Sequence, residues 1–66
     1  MSDLLWLQIV EGFLETEAAG GDLEALRGKL LASDGAKLAY TQWICGASDR
    51  VVRMLLRRAL MDIEGS

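Results

Sequence analysis

The chain has no histidine and no proline, a single cysteine at Cys45, and only four aromatic residues among its 66. Without histidine, the commonest general base and metal ligand is missing. One thiol can close no disulfide within the chain and build no cysteine-based metal site. No cofactor, no metal and no small-molecule substrate is therefore expected. The lack of proline and the few aromatics, set against many Leu, Ala and Arg, argue for an all-α fold over a sheet. No run of about 18 apolar residues is present to span a bilayer. No basic stretch precedes an apolar one in the manner of a signal peptide, so the cytoplasm is the expected location.

What the chain does have is apolar residues, 52% of the total. A domain this short buries only about 60% of its unfolded surface, so its core is marginal by itself. With disulfides and metals excluded, self-association is the remaining stabiliser. The charge is uneven. Residues 1–24 carry Asp3, Glu11, Glu15, Glu17, Asp22 and Glu24 and no cation, while residues 25–66 carry seven cations (Arg27, Lys29, Lys37, Arg50, Arg53, Arg57, Arg58) against Asp34, Asp49, Asp62 and Glu64. The net −3 is thus an acidic −6 followed by a basic +3. Nucleic-acid binders are usually basic throughout, so the total counts against DNA while the split keeps it open.

One domain of about four short helices is predicted. Ser2 can cap a first helix over about 3–18, with Asp3 in its first turn. Trp6, Val10, Phe13 and Leu14 centre its apolar face, with Leu7 on one flank and Leu5 and Ile9 on the other. Gln8, Glu11 and Glu15 lie opposite. That face is about twice the roughly 100° stripe that one neighbouring helix covers. Two intrachain helices could straddle it. The other reading is a homodimer seam made of Leu5, Trp6, Ile9, Val10 and Phe13. Gly20-Gly21 ends the helix, and Asp22 caps a second over about 23–32 with Leu23, Leu26, Leu30 and Leu31 inward. Ser33-Asp34-Gly35 signals a turn, with Ser33 or Asp34 capping a third helix over about 35–45, although one continuous helix through the turn is the alternative. Leu38, Thr41, Ile44 and Cys45 share one face of that third helix and are expected inside, with Tyr40 and Trp43 nearer its edges. A fourth helix runs from Asp49 to about Ile63.

The hinge between the last two helices is the most distinctive stretch. Gly46 can take the left-handed conformation that ends a helix, and the Ser48 hydroxyl can cap the next one. The segment from Leu38 to Leu56, LAYTQWICGASDRVVRMLL, resembles the helix-turn-helix of phage repressors and of the lac-repressor family. Gly46, Ala47, Ser48, Val52 and Leu55 match that pattern over about 20 of the 66 residues. Where these motifs place Ala or Gly at the close helix contact, this chain has Gln42, which would splay the helices if it sat there. The resemblance implies a recognition helix beginning at Ser48, with Asp49, Arg50, Arg53, Met54 and Arg57 facing the major groove.

On the fourth helix Val52, Leu55, Leu56, Ala59, Leu60 and Ile63 share one face. Arg50, Arg53, Met54, Arg57, Met61 and Glu64 share the opposite one, with Arg58 beside it. Such a stripe can be a solvated face, or its arginines can pair with the acidic first helix. Two methionines within it favour a contact surface, because a thioether is deformable apolar area with no use in water. Enzymatic readings find no support: Cys45 sits on an apolar face with no partner to activate it, and no glycine-rich phosphate loop occurs. Two functions remain. One is a small transcriptional regulator of a phage or bacterium that binds double-stranded DNA as a homodimer, with recognition helices about 34 Å apart. The alternative is a helical adaptor or inhibitor that binds another protein and no DNA. In either case the binding residues would be Ser48, Asp49, Arg50, Arg53, Met54, Arg57, Arg58 and Met61.

Overall fold

The computed structural model describes residues 3–18 and 21–65, and four helices make up the fold: α1 (Asp3–Glu17), α2 (Leu23–Ala32), α3 (Asp34–Ile44) and α4 (Asp49–Glu64). The expected Ser2 cap and the Gly20 half of the glycine turn lie outside the described residues. Helix ends fall where side-chain chemistry stops the backbone. Asp22 accepts the Ala25 N–H at 3.3 Å and starts α2. Ser33 does two jobs: its N–H and hydroxyl donate to the Leu30 carbonyl, closing α2, while its oxygen accepts the Ala36 N–H at 3.1 Å, opening α3. Its extended backbone, ψ 151°, breaks α2 from α3, so no continuous helix passes through the turn.

The 45–48 turn is built as its residues predict. Gly46 holds φ +91°, the left-handed region that a Cβ disfavours. The Gly46 N–H donates to the Trp43 carbonyl at 3.1 Å and the Ala47 N–H to the Gln42 carbonyl at 2.9 Å. This is the paired bonding of a Schellman C-cap, which satisfies carbonyls that the helix end would orphan. Ser48 then accepts the Val51 N–H at 3.4 Å and starts α4.

From this turn α3 and α4 return side by side. Gly35 and Ala59 each lie about 15 Å of helix away from it. Helices diverging at 90–120° would hold them roughly 20 Å or more apart. Instead a Cβ placed on Gly35 would come 2.6 Å from the Ala59 Cβ, so the backbones nearly touch at the far end of the pair. α3 and α4 are therefore an antiparallel hairpin closed at both ends. Gln42 is exposed and takes no part in that contact.

Small residues make this approach possible and turn α3 opposite to the expected way. Ala36 and Ala39 are buried, with Tyr40 and Trp43 packed on the core beside them, while Leu38 and Ile44 are each 49% exposed and Thr41 and Cys45 face outward. The expectation of Leu38, Thr41, Ile44 and Cys45 inside is thus corrected. The α4 backbone lies too close for large side chains, and the Gly35–Ala39 side fills the gap. α2 needs a smaller correction, since Leu30 is buried and Leu26 and Leu31 pack on the core, but Leu23 is 36% exposed.

α1 lies across the other three helices. Trp6, Val10, Phe13 and Leu14 join Leu30, Val52, Leu56 and Leu60 in one core. Among the described residues no polar or charged side chain is buried. Trp6 meets Tyr40 edge-on at 5.3 Å between ring centroids and Trp43 at 5.4 Å, with Tyr40 and Trp43 5.9 Å apart. These are ring-packing distances, so Tyr40 and Trp43 extend the core around Trp6 to its edge, where Trp6 and Tyr40 also line an apolar depression with Leu7, Leu31 and Ala36.

Candidate functional site on the outer face of α4

The core decides what is left for binding. Trp6, Val10 and Phe13, expected at a homodimer seam, are buried within the chain itself, and Ile9 packs partly on the same core. That seam is corrected: the wide apolar face of α1 is shared among α2, α4 and, through Trp6 on Tyr40 and Trp43, α3, which leaves only Leu5 of those five residues exposed.

α4 buries Val52, Leu56, Ala59 and Leu60 along one face and turns Arg50, Met54, Arg58 and Met61 to solvent on the other. Met54 is 60% exposed and Met61 68%. Together with Arg57, Arg58 and Asp62 they line a shallow depression. Ser48 and Asp49 sit at the entrance of the helix, both exposed, with Ser48 committed to the cap.

The basic stripe divides into two parts. Arg57 donates from Nε and Nη2 to Glu17 Oε1 at 2.9 and 2.6 Å, which ties the last turn of α1 to α4. Arg53 borders the α1 seam, in a depression lined with Gln8, Ile9, Gly12, Phe13 and Asp49. Arg50 and Arg58 are exposed and flank the methionines around the helix. A second ion pair, Arg27 with Glu11, joins α2 to α1 at an acidic depression that Glu15, Glu24, Leu14 and Leu23 also line. Arg57–Glu17 is exposed and Arg27–Glu11 only half-buried, so each contributes about 1 kcal/mol or less and serves to position the helices rather than hold them.

Among the described residues no group of three or more metal-ligating side chains occurs, and no helix is long and apolar enough to cross a membrane. Cys45 is exposed at the end of α3, where its N–H donates to the Thr41 carbonyl; the expected buried thiol is corrected. The Glu17–Arg57 tie spans 40 positions, and for Arg57 it realises the alternative that the stripe pairs with the acidic first helix. No family model matches the chain, and no curated protein or solved structure matches it either.

Proposed function

We propose that this protein is a small, non-enzymatic helical module of the cytoplasm that docks another protein on the outer face of α4. The observation that carries this reading is the exposure of Met54 and Met61 on a helix whose opposite face is fully engaged in the core. A merely solvated face has no need of thioethers. At a docking surface they give adaptable apolar contact at the centre, with arginines around it, which is the usual composition of an interface.

A second reading, the DNA-binding regulator, is favoured by the exposure of Arg50, Arg53 and Arg58 on a helix that starts at a capped Gly46–Ser48 turn. Two features favour docking over it. The antiparallel closure of α3 on α4 lacks the wide interhelix angle of a groove-reading pair. The tie of Arg57 to Glu17 also takes one cation out of the stripe.

The two readings separate on titration with mixed-sequence duplex DNA. For a docking module, any DNA binding at low salt is weak, disappears at physiological salt as counterions compete, and is indifferent to Met54→Ala and Met61→Ala. Binding that survives physiological salt and loses about 1–3 kcal/mol on a preferred sequence with Arg50→Ala would overturn the docking reading.

A further inference from the structure

Resting on that reading, we infer that the occupant of the α4 face is an acidic amphipathic helix laid along it. Three observations lead there. The first is backbone supply. Among the described residues the backbone is helical apart from short turns, so there is no sheet edge for an extended peptide to join, and the exposed face of α4 suits a helix packed along it. The second is spacing. Met54 and Met61 are two turns apart, about 10 Å along α4, and within about 20° of each other around it. A partner helix with apolar residues at i, i+3 or i+4, and i+7 places its side chains against and between them.

The third is charge. On the wheel Arg50 lies about 30° to one side of the methionine line and Arg58 about 50° to the other. Carboxylates on both flanks of a partner's apolar stripe would therefore each meet a guanidinium. With Arg57 paired to Glu17, residues 49–58 offer Arg50, Arg53 and Arg58 against Asp49, net +2, whereas Asp62 and Glu64 make the last turn acidic. The positive end of the α4 dipole adds to the same asymmetry. The partner's carboxylates accordingly belong over residues 50–58 and are repelled beyond 61.

The experiment uses the full chain, isotopically labelled for NMR, and three synthetic helical peptides of about five turns. The first carries leucines at heptad spacing flanked by glutamates, the second has lysine at every glutamate, and the third is a scrambled isomer of the first. The acidic amphipathic peptide should shift amide resonances confined to residues 50–61. The lysine peptide and the scrambled isomer should bind at least about ten-fold more weakly. Met54→Ala with Met61→Ala should lower affinity about ten-fold, and Arg50→Gln with Arg58→Gln should lower it and flatten its salt dependence.

Equal binding by the scrambled isomer, or no binding by any peptide near millimolar concentration, would overturn the inference. If the lysine peptide is preferred on the same residues, the acidic occupant is wrong while the docking face stands. If the peptides are ignored and duplex DNA shifts residues 50–61, both readings fall. Shifts on α4 that grow with the chain's own concentration would identify a second copy as the occupant and also overturn the inference.

Discussion

Substitution of Gly35 by alanine should destabilise the protein by about 1–3 kcal/mol, the cost of overpacking a close contact. The new Cβ would lie 2.6 Å from the Ala59 Cβ and 3.2 Å from its Cα. The second of these is backbone, so no side chain can rotate away and the two helices must part. Alanine's better helix propensity, worth up to about 1 kcal/mol, opposes the loss without cancelling it. A chain of 66 residues has a total stability of only about 3–10 kcal/mol, so urea unfolding resolves the change readily. Moving the methyl group across the interface, Gly35→Ala with Ala59→Gly, should recover part of the loss, because only the tight approach to Cα remains. A Gly35→Ala variant that melts higher than the parent would show that α3 and α4 do not meet there.

Leu56→Ala should cost about 2–5 kcal/mol, the range for truncating a large buried side chain and a large share of the domain's total stability. Leu56 is 0% exposed and sits in the core among Val10, Leu14, Leu30 and Leu60. Met54, two positions earlier on the same helix, should tolerate alanine within about 0.5 kcal/mol, as exposed sites usually do. Chemical denaturation of this pair measures the two faces of α4 directly. Similar losses at both positions would mean that Met54 is covered in the folded protein.

Residues with strong local chemistry were legible in the sequence. Asp22, Ser33, Gly46 and Ser48 act through bonds to backbone within a few positions, so the helix boundaries they set needed no tertiary information. The two faces of α4 were legible for the same reason, since a 3.6-residue period is a local property. α3 was misread because its contact with α4 is decided by the lack of side chains at Gly35, Ala36 and Ala39. A hydrophobic pattern instead points to the large residues Leu38 and Ile44, which the structure leaves half exposed. The breadth of the α1 face was legible, but not its owner. Three helices share it, and sharing among helices looks in sequence like a surface offered to another molecule. The ties of Glu17 to Arg57 and Glu11 to Arg27 depend on how α1 crosses the other helices, which no local pattern encodes.

The central claim is that α4 offers Met54 and Met61 to a partner from a fully folded chain, and the rate at which these two thioethers oxidise tests it most directly. Dilute hydrogen peroxide converts an accessible methionine to its sulfoxide, and peptide mapping by mass spectrometry reads each site separately. Both residues should oxidise in the folded protein at rates within a few-fold of those in denaturant, with the helical circular dichroism unchanged, because neither belongs to the core. Strong protection of either methionine, or loss of helix as the sulfoxides form, would contradict the account.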